Sequence, residues 1–126
     1  MVVLDSSALI TLFKNEPGAD IVESHLADAA ISAVNVQEVA KKMSDAGAAG
    51  RDIRTAVDKL QLRIFPHDTE DAFLAASLSA ATQKHGSGLG DRSCMALAMR
   101  LGVPALTADK AWAKLRIPGL EVVVVR

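Results

Sequence analysis

The sequence predicts an α/β fold, a short parallel sheet held between two layers of helices. Three observations carry that prediction. Short apolar runs alternate with segments of helical period from one end of the 126-residue chain to the other. Half the residues are hydrophobic, enough for a chain of this length to bury roughly two-thirds of its unfolded surface. The run Val122 to Val125 is unbroken and β-branched, the mark of a strand covered on both faces. Length and the absence of any linker or low-complexity tract predict one domain over residues 1–126.

Val2-Val3-Leu4 reads as the first buried strand. Asp5-Ser6-Ser7 leads into a helix marked by Ala8, Leu9, Leu12 and Phe13, which Pro17-Gly18 breaks. A second helix follows over about 18–27, then a short strand at Ala29-Ala30-Ile31-Ser32. Val36, Val39, Ala40 and Met43 share one helical face, and Gly47 and Gly50 end that helix. Ile53, Ala56, Val57 and Leu60 repeat the pattern. Leu62 to Phe65 alternates like a strand and stops at Pro66. An alanine-rich helix is predicted over 69–84, closed by His85-Gly86-Ser87-Gly88. Cys94, Leu97, Ala98 and Leu101 form another stripe, ended by Gly102. A strand over 103–107, a short helix carrying Trp112 and the valine run complete the chain.

Composition excludes several classes. Cys94 is the lone cysteine, so no disulfide scaffold exists, and a free thiol fits a reducing cytosol. No apolar run nears the roughly 20 residues needed to span a bilayer. Met1 to Asp5 carries no basic region before its apolar stretch, unlike a signal peptide. Fourteen Lys and Arg against fifteen Asp and Glu give a net charge of −1, so bulk charge does not attract nucleic acid. Aromatic residues make up only 3%, which argues against a base-stacking platform.

Four carboxylates stand at strand ends and helix starts. Asp5 ends the first strand, Glu38 falls in the first turn of the helix after the second, Asp91 opens the Cys94 helix, and Asp109 follows the 103–107 strand. Sites on open α/β sheets form outside the carboxyl ends of the strands. Each acid also has a plain structural reading. Asp5, Asp91 and Asp109 suit helix N-caps, and Asn35-Val36-Gln37-Glu38 is close to a capping box. Taken together, four acids on one rim repel one another unless a cation sits among them. Oxygen ligands without a His or Cys cluster suit Mg²⁺ or Mn²⁺, and helix N-termini help keep the acids ionised. Carboxylate-held divalent ions are the means of in-line phosphodiester cleavage, and they let an acidic pocket accept a polyanion.

At these residues the chain resembles a known family. Met1 to Leu9, with Asp5, resembles the opening of PIN-domain proteins, and among them it is most similar to VapC toxins of toxin–antitoxin pairs. Ile31 to Val39 resembles the second motif with Glu38 as its acid, Gly88 to Ala98 the third with Asp91, and Leu106 to Trp112 the fourth with Asp109. Four motifs in order span essentially the whole chain. The resemblance implies a three-layer α/β/α fold and a Mg²⁺- or Mn²⁺-dependent endoribonuclease that blocks translation by cutting structured RNA, often tRNA or rRNA. It also implies a cytoplasmic homodimer and a cognate antitoxin that occludes the acidic pocket. On it, Asp5 and Asp91 are direct metal ligands, Asp109 is a ligand directly or through water, and Glu38 orients the attacking water or binds a second ion. Ser6 and Thr107 match polar neighbours of the acids, touching metal or fixing loop geometry.

Other residues carry weaker signals. Cys94 sits on an apolar stripe and reads as core. His25, His67 and His85 lack zinc spacing and read as surface residues. Gly86-Ser87-Gly88-Leu89-Gly90 follows a helix, unlike a dinucleotide loop. Lys41-Lys42 reads as a solvated helix face, whereas Arg92 and Lys110 each follow an acid and suit either RNA phosphates or charge balance. Phe73 and Leu74 suit core packing or a dimer face. The chief rival is a non-catalytic receiver-type signalling domain. It requires an acidic pair after the first strand, where Ser6-Ser7 stand, and an acceptor Asp after a middle strand, where Pro66-His67 stand. An aspartyl phosphatase requires a second Asp at the place of Ser7, and a binding-only PIN-like domain has no need of four acids.

Overall fold

A computed structural model describes residues 1–126. Five parallel strands form one sheet: β1 (Val2–Leu4), β2 (Ala29–Ser32), β3 (Arg63–Phe65), β4 (Ala105–Thr107) and β5 (Val122–Val124), in the order β3-β2-β1-β4-β5. The helices are α1 (Ser6–Phe13), α2 (Ala19–His25), α3 (Ala33–Asp45), α4 (Gly50–Lys59), α5 (Thr69–Ser77), α6 (Ser79–Thr82) and α7 (Leu89–Leu101). No helix is long and apolar enough to cross a membrane. The strand order differs from the 2-1-3-4-5 order of receiver domains, so the receiver reading fails at the level of topology.

The three layers follow from strand parity. Successive strand side chains point to opposite faces. Val2, Leu4, Ala29, Ile31 and Leu106 therefore enter one core with Leu9, Val22 and Val39 of α1, α2 and α3. Val3, Ala30 and Ala105 enter a second core with Cys94, Met95, Leu97 and Ala98 of α7 and with Trp112. Cys94 is fully buried there, as its stripe predicts. Gly18 starts α2 at φ +99°, where a Cβ would strike the Val125 carbonyl, so this junction requires glycine.

Several elements differ from the sequence reading. β5 lies at the sheet edge, and its valines are half-buried even though Val122 and Val123 reach opposite cores. The helix expected over 69–84 breaks at Leu78 into α5, α6 and a 3-10 turn over Gln83–His85. Ser77 donates to the Leu74 carbonyl and Thr82 to those of Leu78 and Ser79, and such back-bonding bends helices. The second helix stops at His25 and continues as a 3-10 turn to Asp28. α3 begins at Ala33, with Ser32 as its cap accepting from the Val34 N–H. Glu38 therefore lies in the second turn, and Asn35 is a buried helix residue instead of a cap. Phe73 is 73% exposed, so it is not core.

One buried ion pair ties α5 to α7. Asp71 is 2% exposed and accepts from Arg100 Nε at 2.6 Å and Nη2 at 3.2 Å, and Arg100 lies over the Phe65 ring. Asp71→Ala is expected to cost about 2–3 kcal/mol in urea denaturation. That is below the full cost of breaking a buried pair, because Arg100 stays partly solvated. A loss under about 0.5 kcal/mol would show that the pair behaves as a surface one.

Candidate active site

The sheet changes direction of growth at β1, which lies between β2 and β4. Ligand sites of open α/β sheets lie at such a point, outside the carboxyl ends. Asp5 follows β1, Asp109 follows β4, α3 with Glu38 follows β2, and the start of α7 brings Asp91. All four carboxylates line one cleft of about 150 Å³, together with Ser6, Ser7, Ile10 and Lys42.

Asp5 occupies the N-cap position of α1, yet its side chain makes no capping bond. Its Oδ2 instead accepts from Ser7 Oγ at 2.6 Å and Thr107 Oγ1 at 3.0 Å. These hydroxyls are held in turn. Ser7 Oγ accepts from the Ala108 N–H, and Thr107 Oγ1 from the Asp109 N–H. The network stitches the β1–α1 junction to the loop after β4. Burial pushes the Asp5 carboxyl up to about 6, the Asp91 charge adds to that, and the two hydroxyls oppose it.

Asp91 and Asp109 keep part of the capping role. Asp91 Oδ2 accepts from the Gly88 N–H at 2.8 Å, closing the first turn of α7. Its pKa is raised, by burial first and also by the charges of Glu38 and Asp109; the Gly88 N–H and Arg92 counter this. Asp109 Oδ1 accepts from the Ala111 N–H and caps the 3-10 helix Lys110–Lys114. Each of these two acids leaves its second oxygen without a protein partner. Glu38 is an exposed residue whose Oε1 accepts from Ser6 Oγ and from Asn35 Nδ2, the latter at 2.9 Å, while Oε2 makes no protein bond.

The donor set consists of carboxylate and hydroxyl oxygens. Cys94 is sealed in the core. Free carboxylate oxygens, two acids raised by burial and then by the charge of neighbouring carboxylates, and Lys42 as the sole cationic lining residue fit a hard divalent ion. As placed, no three of the acids close on a single point.

Ser7 and Lys42, which line the cleft, and Asn35, which bonds Glu38, escaped the sequence reading as site residues. Lys42 lies four residues after Glu38, the spacing that puts two side chains on one helix face, and that spacing was the available signal. Ser6 and Thr107 donate to acids, which explains their polarity by side-chain positioning. Arg92 donates to the Ser87 carbonyl and lowers the Asp91 pKa, so it braces the loop and balances charge. Lys110 is exposed and unpaired. His25 is exposed, and His67 and His85 are half-exposed, all outside the cleft. A larger cleft of about 430 Å³ between α3 and α4 is mostly apolar, and its charged pair, Arg54 and Asp58, is already satisfied.

A parallel α/β/α sheet with four acids at its central carboxyl edge describes a class of domains, and comparison gives the family. The sequence matches the PIN domain over residues 2–118, and the chain belongs to that family. Its fold is similar to a toxin–antitoxin complex from Klebsiella pneumoniae, at 23% identity and TM-score 0.75, covering 100% of this chain and 98% of that one. It is also similar to VapBC2 from Rickettsia felis bound to a promoter DNA fragment (18% identity, TM-score 0.74, 98% of each chain). VapBC-1 from nontypeable Haemophilus influenzae is a third such structure (20% identity, TM-score 0.72, 99% of this chain and 98% of that one). No curated protein sequence matches the chain.

Proposed function

We propose that this chain is the toxin of a VapC-type toxin–antitoxin pair, a Mg²⁺- or Mn²⁺-dependent endoribonuclease whose single PIN-like domain spans residues 1–126. The observation that carries the reading is the convergence of Asp5, Glu38, Asp91 and Asp109 on one cleft of a PIN fold. Asp5, Asp91 and Asp109 would hold the ion by drawing together on it, Asp91 and Asp109 through the oxygens that the protein leaves free. When bound, a divalent ion supplies the positive charge that engages a phosphate oxygen and stabilises charge on the leaving oxygen. Ser7 and Thr107 fix the Asp5 carboxylate, and their hydrogen bonds favour its ionised form against the cost of burial. Glu38 Oε2, free at the cleft, orients the attacking water and takes its proton. Lys42 and Lys110 offer charge to the flanking RNA phosphates.

The partners follow from the structural neighbours, which are toxin–antitoxin complexes. A cognate antitoxin covers the acidic cleft, and the active chain works in the cytoplasm on structured RNA such as tRNA or rRNA. Phe73 and Leu89 are 73% and 71% exposed, apolar surface that a homodimer would cover. Light scattering tests the dimer, and a monomeric mass at micromolar concentration removes it.

The decisive experiment is cleavage of total cellular RNA by antitoxin-free protein, with Mg²⁺, with Mn²⁺ and with EDTA. Discrete fragments that require the metal are expected. Intact RNA under every condition, from a chain shown to be folded, overturns the nuclease reading.

A further inference from the structure

Glu38 is an exposed residue on α3, and a free glutamate there would sample many rotamers. Its surroundings deny it that freedom. Asn35 lies one helical turn earlier and is fully buried. Its Nδ2 reaches three acceptors on three elements: Ser6 Oγ of α1 at 3.0 Å, Glu38 Oε1 of α3 at 2.9 Å and the Gly90 carbonyl of α7 at 3.0 Å. Ser6 Oγ donates to the same Glu38 Oε1. The carboxylate is therefore pinned from below by two donors, both converging on one oxygen.

Gly90 supplies the wall. The nearest atoms that an added Cβ would meet are Oε1, Cδ and Oε2 of Glu38, all in overlap. The carboxylate thus rests on the bare Cα of Gly90, within the first turn of the helix that carries Asp91. Gly90 does not have a positive φ, so the space it leaves is its contribution, not backbone freedom. A glycine near the start of a helix otherwise has no advantage over alanine.

We infer that Asn35 and Gly90 are positioning residues that hold the Glu38 carboxylate at the cleft beside Asp91, Asn35 by hydrogen bonding and Gly90 by leaving space. The inference rests on the nuclease reading for its catalytic consequence, while the placement of Glu38 rests on geometry alone. Because the amide also bonds Ser6 and Gly90, one buried side chain sets the spacing of the three helices that carry Asp5's neighbours, Glu38 and Asp91. Glu38 Oε1 is saturated by these donors, which directs the remaining oxygen, Oε2, to solvent, ion or water.

Gly90→Ala tests the inference most cleanly. It deletes no hydrogen-bonding group and raises helix propensity, and Asn35 Nδ2 keeps Ser6 Oγ and the Gly90 carbonyl as acceptors when the Glu38 carboxylate is displaced, so its melting temperature should stay close to that of the wild type. Its kcat for RNA cleavage should nonetheless fall about 10–100-fold, the usual effect of disturbing an outer-shell partner, with KM for RNA held within about twofold. Asn35→Leu should give a similar loss of kcat with a lower melting temperature, because the buried ties from Asn35 to Ser6 and to the Gly90 carbonyl are lost. In a Glu38→Ala background Gly90→Ala should cost nothing further, since it acts through that carboxylate alone, whereas Asn35→Leu should keep only the part of its loss that comes from Ser6 and the Gly90 carbonyl. Mn²⁺ affinity, read by water proton relaxation without turnover, should fall in Gly90→Ala and Glu38→Ala by the same factor.

Wild-type kcat and wild-type Mn²⁺ affinity in Gly90→Ala overturn the inference, as does a loss that persists in full on top of Glu38→Ala. A wild-type chain that binds Mn²⁺ but cuts no RNA overturns the nuclease reading, and the affinities alone then decide the positioning role. A wild-type chain that neither binds Mn²⁺ nor cuts RNA overturns both.

Discussion

Asp5→Asn is expected to abolish RNA cleavage while making the metal-free chain more stable. The two effects have one cause. Asparagine has the shape of aspartate, and its carbonyl oxygen can take the bonds from Ser7 and Thr107 that Oδ2 now accepts. It differs in carrying no charge. At neutral pH the wild-type carboxylate is ionised in a site that raises its pKa from 3.8 to about 6. Two pKa units at about 1.4 kcal/mol each set the destabilisation at roughly 3 kcal/mol, an upper bound that Asn relieves. For a chain of this length that corresponds to a rise in melting temperature of roughly 10 °C in EDTA. Cleavage should fall by more than the about 100-fold upper range of outer-shell substitutions, because the role proposed for Asp5 is direct ligation of the ion. Calorimetry and a fragment assay on the same preparation check both halves. A variant that melts lower than wild type in EDTA would show that the charge is not strained, and one that still cuts RNA would remove Asp5 from the chemistry.

Stability should also depend on pH and divalent ion in a linked way. A carboxylate whose folded pKa is raised binds its proton more tightly in the native state. Its destabilisation is therefore absent below the unfolded pKa of about 4, grows between about pH 4 and 6, and is complete above 6. Asp91 is raised as well and acts with the same sign. Metal-free protein should thus lose stability as pH rises through that window. The contribution of Asp5 is the part that vanishes in Asp5→Asn. On the proposed function, divalent ion acts in the opposite direction. At 100 times its dissociation constant it stabilises by about 2.7 kcal/mol, and protons compete with it below pH 6. Urea midpoints at pH 5 and 7.5, with EDTA and with Mg²⁺, check this. The Mg²⁺ increment should be large at pH 7.5 and small at pH 5, and equal increments at the two pH values would sink the linkage.

The sequence was most legible where a local rule coincides with the tertiary outcome. The strand runs at Val2-Val3-Leu4 and Ala105-Leu106-Thr107 are short and apolar, and each ends at a polar residue where the chain turns. Asp5 and Asp109 stand at those turns, so a reading of strand ends finds them without knowing the sheet order. The stripe through Cys94 was equally plain, because a helix buried against a sheet shows its period directly.

Legibility failed where a residue's role depends on a partner far along the chain. Asn35 and Glu38 look like a capping box in isolation, since the pair has the right spacing. Ser32 takes the cap, and Asn35 is left to face Ser6 and Gly90, 29 and 55 residues away. The valines of β5 read as fully covered because β-branching reports strand preference, and strand preference does not distinguish edge from centre. The single helix expected over 69–84 is interrupted at Leu78, and the hydroxyls of Ser77 and Thr82 that bond back to helix carbonyls around that point leave no mark on hydrophobic periodicity.

The sequence by itself determined the α/β alternation, the layers and the four acids, because period, turn residues and charge are local properties. The tertiary structure alone decided that these acids share one cleft, that Asp5 is strained by burial beside Asp91, and that Lys42 faces them. It also decided that Glu38 is held by Asn35 against Gly90. These are facts of distance between segments, and charge, burial and close packing act through distance, whatever the separation along the chain.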